Sequence, residues 1–161
     1  MGVSGCGKST IAELLANKLS IPWYDADNFH PQANIDKMKN GIPLTDDDRM
    51  PWLHRLSFEI VFWENDGGAV LACSALRELY RTILSGQDKG NVRFVYLQGS
   101  KECIRNRMEQ RSGHYMPTSL LDSQFATLEP PQNAITVSIE HAPDKIVETI
   151  LSELKKGEAS K

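Results

Sequence analysis

Apolar residues recur along the chain with two different periods. Short apolar stretches at 21–24, 69–73, 92–97 and 134–139 predict strands buried in a sheet. Longer amphipathic segments predict helices at 31–40, 46–65, 75–84, 101–110, 119–127 and 144–155, with Thr45 as the N-cap of the second. Because strands and helices alternate, the pattern predicts an α/β fold in which helices flank a parallel sheet.

The chain reads as one domain. Its 161 residues contain no internal repeat, low-complexity tract or linker-like segment that would mark a boundary. We therefore assign residues 1–156 to a single domain and expect the polar segment 157–161 to be a frayed tail.

Composition and charge exclude several classes of protein. The balance of 18 Lys and Arg against 21 Asp and Glu gives a net charge of −3, which argues against a nucleic-acid partner. No apolar run approaches the roughly 20 residues that a membrane-spanning helix needs. The three cysteines form no CxxC pair, which is typical of a reducing compartment, so we expect a cytoplasmic protein with a small-molecule substrate.

The first residues carry the most specific motif. The stretch from Gly2 to Ser9 fits G-x-x-x-x-G-K-[ST], the pattern of a phosphate-binding P-loop. In such a loop the backbone N–H groups surround phosphate oxygens at a helix N-terminus, Lys8 reaches the β- and γ-phosphates, and the Ser9 hydroxyl ligates Mg²⁺. A hydrolase nucleophile elbow, G-x-S-x-G, is excluded because Cys6 replaces its last glycine. The predicted ATP-binding residues are Gly2, Val3, Ser4, Gly5, Cys6, Gly7, Lys8, Ser9 and Thr10.

A P-loop normally follows the end of a buried strand, and here only Met1 precedes it. We therefore expect the first strand of the sheet to be missing from this sequence. Either the chain is a truncated product, or another segment fills the gap in the middle of the sheet.

Two carboxylates follow the first predicted strand. Strand alternation would point Asp25 and Asp27 the same way, so that one holds the water shell of a metal and the other binds or deprotonates a hydroxyl. The alternative is that they cap the helix after Pro31. Because no Asp or Glu ends the second predicted strand, Asp25 is the favoured carboxylate for the metal site.

The sequence contains two pairs of arginines, and the two members of each pair are four residues apart. Ser74 is the expected N-cap of the helix that carries Arg77 and Arg81. Arg77 could bind a substrate carboxylate through two hydrogen bonds, whereas a solvated surface position is favoured for Arg81. Arg107 and Arg111 fit a small mobile lid that folds over the γ-phosphate, with a basic solvent-facing helix as the alternative.

Taken together, these segments resemble the gluconate kinase family of P-loop small-molecule kinases. Besides the loop, the resemblance rests on D-A-D-N-F-H-P at 25–31, P-L-T-D-D-D-R-M-P-W-L at 43–53, C-S-A-L-R-E-L-Y-R at 73–81, R-S-G-H-Y-M at 111–116 and S-Q-F-A-T-L-E-P at 123–130. It extends from Met1 to about residue 154.

The resemblance implies a three-layer α/β/α P-loop fold with a mobile lid at about 111–125. It also implies transfer of the γ-phosphoryl group of ATP to the 6-hydroxyl of D-gluconate, which supplies the pentose phosphate route. Asp27 would contact the acceptor as base, and His30, Arg49 and Arg77 would line the acceptor pocket. Ser9 and Asp25 would organise Mg²⁺, and Arg107 and Arg111 would act from the lid. Family members are commonly dimers, so the resemblance allows for a homodimer.

Two other functions stay open at this stage. One keeps the fold and mechanism but changes the acceptor to another small hydroxy acid, shikimate, or to a nucleoside monophosphate. The other is a catalytically impaired, truncated isoform that binds nucleotide weakly.

Overall fold

The computed structural model describes residues 1–86, 91–110 and 118–159. Within them the helices are α1 (Lys8–Leu19), α2 (Gln32–Lys39), α3 (Asp46–Asn65), α4 (Glu78–Ser85), α5 (Lys101–Gln110), α6 (Thr118–Thr127) and α7 (Pro143–Ala159), and a 3₁₀ helix spans Ala26–Phe29. The strands are β1 (Trp23–Asp25), β2 (Val70–Ala72), β3 (Val95–Gln98) and β4 (Ile135–Ser138). None of these helices is long and apolar enough to cross a membrane.

The strands form two parallel pairs. β1 pairs with β2 in the register Trp23 to Val70, and β3 pairs with β4 in the register Val95 to Ile135. This confirms the predicted parallel α/β arrangement, although each strand is shorter than its apolar stretch. Within the described part of the chain, no strand lies between β2 and β3.

The residues before α1 lie between these two pairs. The Met1 carbonyl accepts a hydrogen bond from the Leu97 N–H at 3.0 Å, on the β3 side. The next residue contacts the other side, where the Gly2 N–H donates to the Ser74 carbonyl at 3.1 Å, just beyond β2. The start of the phosphate-binding motif is therefore held at the carboxyl ends of both central strands, where open parallel sheets bind ligands.

Apolar side chains from α1, α3, α4 and α7 form a continuous core with the strands. Leu53 and Leu56 of α3 and Ile150 of α7 are fully buried. α3 begins with a capping box, because Thr45 Oγ1 accepts from the Asp48 N–H and the Asp48 carboxylate accepts from the Thr45 N–H. Thr45 was the predicted N-cap, and α3 has the predicted bounds.

Two local predictions are wrong. Ser74 is not a cap: α4 starts at Glu78 with Arg77 at its N-cap, and Ala75 before it has φ +45°. Arg81 is buried rather than solvated, since it donates to the carbonyls of Ala75, Leu76 and Glu129. α7 ends at Ala159, so it includes the first residues of the polar segment 157–161.

We expect Thr45→Ala to lower the free energy of unfolding by about 1 kcal/mol, because the Asp48 N–H loses its partner at the start of α3. Thr45→Ser keeps the hydroxyl and should stay within about 0.5 kcal/mol of the parent. Urea unfolding of the two variants measures the difference. Equal losses in both would show that the hydroxyl does not cap α3.

Candidate active site

The P-loop residues form a tight turn that leads into α1. Gly5 and Gly7 have φ of +83° and +97°, a region that side chains with a Cβ rarely adopt. This turn brings the backbone N–H groups at the start of α1 to one place, with the positive end of the helix dipole behind them. Of the predicted nucleotide-binding residues, Ser4, Gly5, Gly7, Lys8, Ser9 and Thr10 line a cleft of about 340 Å³. Val3 and Cys6 are buried beneath the loop instead.

The Lys8 side chain folds back over its own loop. Its Nζ donates to the carbonyls of Gly2 at 3.1 Å and Val3 at 3.0 Å. Phosphate oxygens are stronger acceptors for an ammonium group than neutral carbonyls. Lys8 can therefore exchange these bonds for phosphate contacts without moving its backbone.

Ser9 and the two carboxylates are connected. Ser9 Oγ donates to one oxygen of Asp25 at 3.3 Å, and the other Asp25 oxygen accepts from the Asp27 N–H at 3.0 Å. Asp25 therefore caps the 3₁₀ helix and not the helix after Pro31, and Asp27 lies in that 3₁₀ helix rather than on the strand. Both carboxylates nevertheless line the same cleft.

The surroundings of Asp27 favour its protonated form relative to an ordinary carboxyl group. Desolvation within the cleft and the charge of Asp25 raise the pKa of Asp27, and Lys8 opposes them. Its side chain is 77% exposed in the open cleft. A carboxylate with a raised pKa is a better proton acceptor.

His30 is a buried neutral ring next to Asp27. It stacks on Trp52 with ring centroids 4.1 Å apart, and burial lowers the pKa of His30 to about 4. Asn34 Nδ2 donates to the Asp48 carbonyl at 2.9 Å, which fixes its amide, and lies 3.2 Å from His30 Nδ1. Nδ1 is therefore the acceptor, and the ring proton sits on Nε2, 3.9 Å from the Asp27 carboxylate.

Arg49 lines the cleft, whereas Arg77 does not. Arg49 Nη1 donates to the Leu44 carbonyl at 2.6 Å and to Tyr80 Oη at 3.1 Å, which fixes the guanidinium. Arg77 forms an ion pair with Asp46, which also accepts from Tyr80, and lies 3.4 Å from a Glu129 oxygen. Arg77 is therefore paired with acidic residues outside the cleft lining.

The arginines assigned to a lid are placed differently. Arg107 donates to the Ile139 carbonyl just beyond β4 and does not line the cleft. Arg111 lies outside the described residues with the rest of 111–117, whereas 118–125 of the predicted lid belongs to α6. The described part of the chain thus brings together the P-loop, Asp25, Asp27, His30 and Arg49.

Gln124 is a site residue that the sequence did not single out. Its Oε1 accepts from the Ser4 N–H at 2.7 Å and its Nε2 donates to Ser4 Oγ at 3.1 Å, so α6 is bonded directly to the P-loop. The only signal was its place in the S-Q-F-A-T-L-E-P segment, which by itself assigns no partner 120 residues away.

We expect His30 to titrate near pH 4 in the folded protein, because burial against Trp52 disfavours the imidazolium. Since its folded pKa lies below the ordinary 6.5, the unfolded state binds more protons between these values. Stability should therefore rise as pH increases from about 4 to 6.5 through this residue. NMR titration of the ring carbon, with the urea-unfolded chain as reference, measures it; titration near 6.5 in the folded state would contradict this account.

This chain is similar to known proteins over most of its length. A sequence model of the shikimate kinase family matches residues 4–155. A probable gluconokinase of Rattus norvegicus is 44% identical, with 96% of this chain and 95% of the relative covered, and a gluconokinase of Arabidopsis thaliana is 43% identical over 94% and 88%. The crystal structure of a gluconokinase from Sinorhizobium meliloti superposes with a TM-score of 0.89 at 40% identity, covering 97% of this chain and 89% of that one. With likeness of this extent in sequence and structure, the chain belongs to the gluconokinase family of P-loop kinases.

Proposed function

We propose that this chain transfers the γ-phosphoryl group of ATP to the 6-hydroxyl of D-gluconate. The observation that carries the proposal is that the phosphate-binding loop lines the same cleft as Asp27, His30 and Arg49. A phosphate donor and a hydroxylated acid bound in this cleft would lie side by side. The choice of acid follows from the similarity to gluconokinases.

The nucleotide end is built from the loop and α1. Backbone N–H groups at the helix N-terminus bind phosphate oxygens, and Lys8 adds a positive charge where negative charge develops during transfer. Because phosphoryl transfer depends mainly on positioning and charge stabilisation, these groups provide much of what the reaction requires.

A magnesium ion fits the oxygen ligands beside the loop. Ser9 and Asp25 present a hydroxyl and a carboxylate that are already in contact, and hard oxygen donors are what Mg²⁺ prefers. Ser9 and Asp25 would hold the ion, which would neutralise charge on the phosphates.

The acceptor end combines a base with a cation. Asp27 would accept the proton of the attacking hydroxyl, and the Nε2–H of His30 faces it from the buried side. A guanidinium has five donors, so Arg49 can bind the substrate carboxylate while its Nη1 keeps the contacts to Leu44 and Tyr80. Arg77 would join only after leaving Asp46, and Arg107 in α5 only after leaving the Ile139 carbonyl. Arg111 would act from the lid at 111–125.

The proposal also covers the compartment, the layer arrangement and the oligomeric state of the protein. We place the enzyme in the cytoplasm, in keeping with three cysteines that are all unpaired, and we include the three-layer fold and a homodimer. A second candidate function is a catalytically impaired isoform that binds nucleotide weakly. The gap between β2 and β3 favours this candidate, because Lys8 lines both the gap and the cleft.

The test is ADP release from the 161-residue chain with Mg-ATP and D-gluconate, shikimate or no acceptor. Release that depends on gluconate alone supports the proposal. Release with shikimate alone would reassign the acceptor, and nucleotide binding without release would support the impaired isoform.

We expect Asp27→Asn to lower kcat by about 10² to 10⁴, because an amide cannot accept the hydroxyl proton. The dissociation constant for ATP should change less than about threefold, since Asp27 would contact the acceptor and not the nucleotide. Steady-state kinetics and nucleotide titration measure the two effects. Turnover close to the parent value would remove Asp27 as the base.

We expect Arg49→Ala to raise the KM for gluconate by about 10- to 100-fold, because a charge-assisted contact to the substrate carboxylate is lost. Arg55→Ala is the matched control: Arg55 also lies on α3 but stacks on Phe29, outside the residues that line the cleft. The KM for ATP should stay unchanged in both variants. An equal rise in the gluconate KM in both would contradict a specific role for Arg49.

A further inference from the structure

Gln124 of α6 binds the phosphate-binding loop, and the proposed reaction gives it no role. Its Oε1 accepts from the Ser4 N–H at 2.7 Å, and its Nε2 donates to Ser4 Oγ at 3.1 Å. Gln124 also lines the cleft that contains Lys8 and Asp27. A polar side chain that contacts the loop and lines the cleft is placed to act on what the loop binds.

α6 is held in place by contacts other than those of Gln124. Asp122 forms an ion pair with Lys101 of α5 at 2.5 Å. Beyond the C-terminal end of α6, the Glu129 N–H donates to the Leu76 carbonyl at 2.7 Å. Because these contacts do not involve the loop, the helix keeps its position independently of the hydrogen bonds that Gln124 makes. The Gln124 amide is therefore presented to the cleft by a fixed element.

Gln124 contacts the loop beside the Lys8 ammonium group. A single peptide group, between Val3 and Ser4, carries both contacts. Its carbonyl accepts from Lys8 Nζ at 3.0 Å, and its N–H donates to Gln124. In a P-loop this lysine reaches the β- and γ-phosphates of the nucleotide. The Gln124 amide therefore lies at the part of the loop that serves the terminal phosphates.

The Gln124 amide has a hydrogen available for a ligand. Nε2 carries two hydrogens, and Ser4 Oγ accepts one of them. No acceptor within residues 1–86, 91–110 and 118–159 binds the other. A phosphate oxygen is a charged and therefore strong acceptor, so it can bind this second hydrogen while both hydrogen bonds to Ser4 stay in place.

We propose that Gln124 is a binding residue for the γ-phosphate of ATP, to which its second Nε2 hydrogen donates. The inference rests on the proposed function, because it requires the loop to bind ATP. ADP lacks the γ-phosphate, so the contact stabilises the complex with ATP and not the complex with ADP. Gln124 thereby makes the cleft prefer the substrate nucleotide to the product nucleotide.

The test is calorimetric titration of the intact chain with Mg-ATP and with Mg-ADP, without an acceptor. Gln124→Met keeps the approximate length of the side chain and removes its amide. We expect its dissociation constant for ATP to rise at least about tenfold, because a hydrogen bond to a charged phosphate is lost. The dissociation constant for ADP should rise less than about threefold, since ADP makes no such contact.

Gln124→Glu separates binding of the phosphate from support of the loop. A glutamate keeps an oxygen that can accept from the Ser4 N–H, but it has no donor and adds a negative charge. We expect Gln124→Glu to bind ATP more weakly than Gln124→Met, because the added charge repels the γ-phosphate. If Gln124 only supported the loop, the glutamate variant would instead bind ATP more tightly than the methionine variant.

Ser123→Ala is the matched control. Ser123 precedes Gln124 on α6 and also lines the cleft. Its ratio of the dissociation constants for ADP and ATP should stay within about threefold of the parent ratio. Circular dichroism and thermal unfolding verify that each variant is folded before it is titrated.

The ratio of the two dissociation constants decides the proposal. Equal weakening of ATP and ADP binding by Gln124→Met, or no weakening of either, would overturn it, as would tighter ATP binding by Gln124→Glu than by Gln124→Met. A parent chain that binds ATP but phosphorylates no acceptor would contradict the proposed function alone, because the ratio is measured without turnover. A parent chain that binds neither nucleotide would overturn both.

Discussion

The whole site depends on how the chain is fixed at Met1 and Gly2. Backbone hydrogen bonds from these two residues reach β3 on one side and Ser74, beyond β2, on the other. The turn that follows requires glycine at its positive-φ positions, and it aims the first N–H groups of α1 into the cleft. If this anchor were displaced, Lys8 and Ser9 would lose their position relative to Asp25.

The acceptor side is rigid for a different reason. His30 is held between the Trp52 ring and Asn34, and Asn34 is bonded in turn to the backbone of α3. Arg49 extends from the same helix and is fixed by Leu44 and Tyr80. One long helix therefore positions both the cation and the neutral imidazole, so the acceptor end is formed before any ligand binds. Such preorganisation lowers the cost of aligning two substrates.

Much of this architecture was predictable because it depends on local rules. The bounds of α3 and α5 follow from apolar spacing and, in α3, from the Thr45 cap, and the P-loop follows from its glycines and Lys8. What could not be predicted depends on partners far away in the sequence. Arg81 is buried by carbonyls up to Glu129, Gln124 binds Ser4, and Arg107 reaches Ile139. The strands are shorter than their apolar runs because pairing, not hydrophobicity, ends a strand.

We propose that the γ-phosphoryl group bound at the loop is transferred to a hydroxyl of the acid that Arg49 holds, and that Asp27 accepts the proton of this hydroxyl. The most direct measurement is ³¹P–¹H correlation NMR of the product formed from Mg-ATP and D-gluconate. The account predicts a single phosphate ester coupled to the two methylene protons at carbon 6. A phosphate on any other carbon, or inorganic phosphate as the only product, would contradict it.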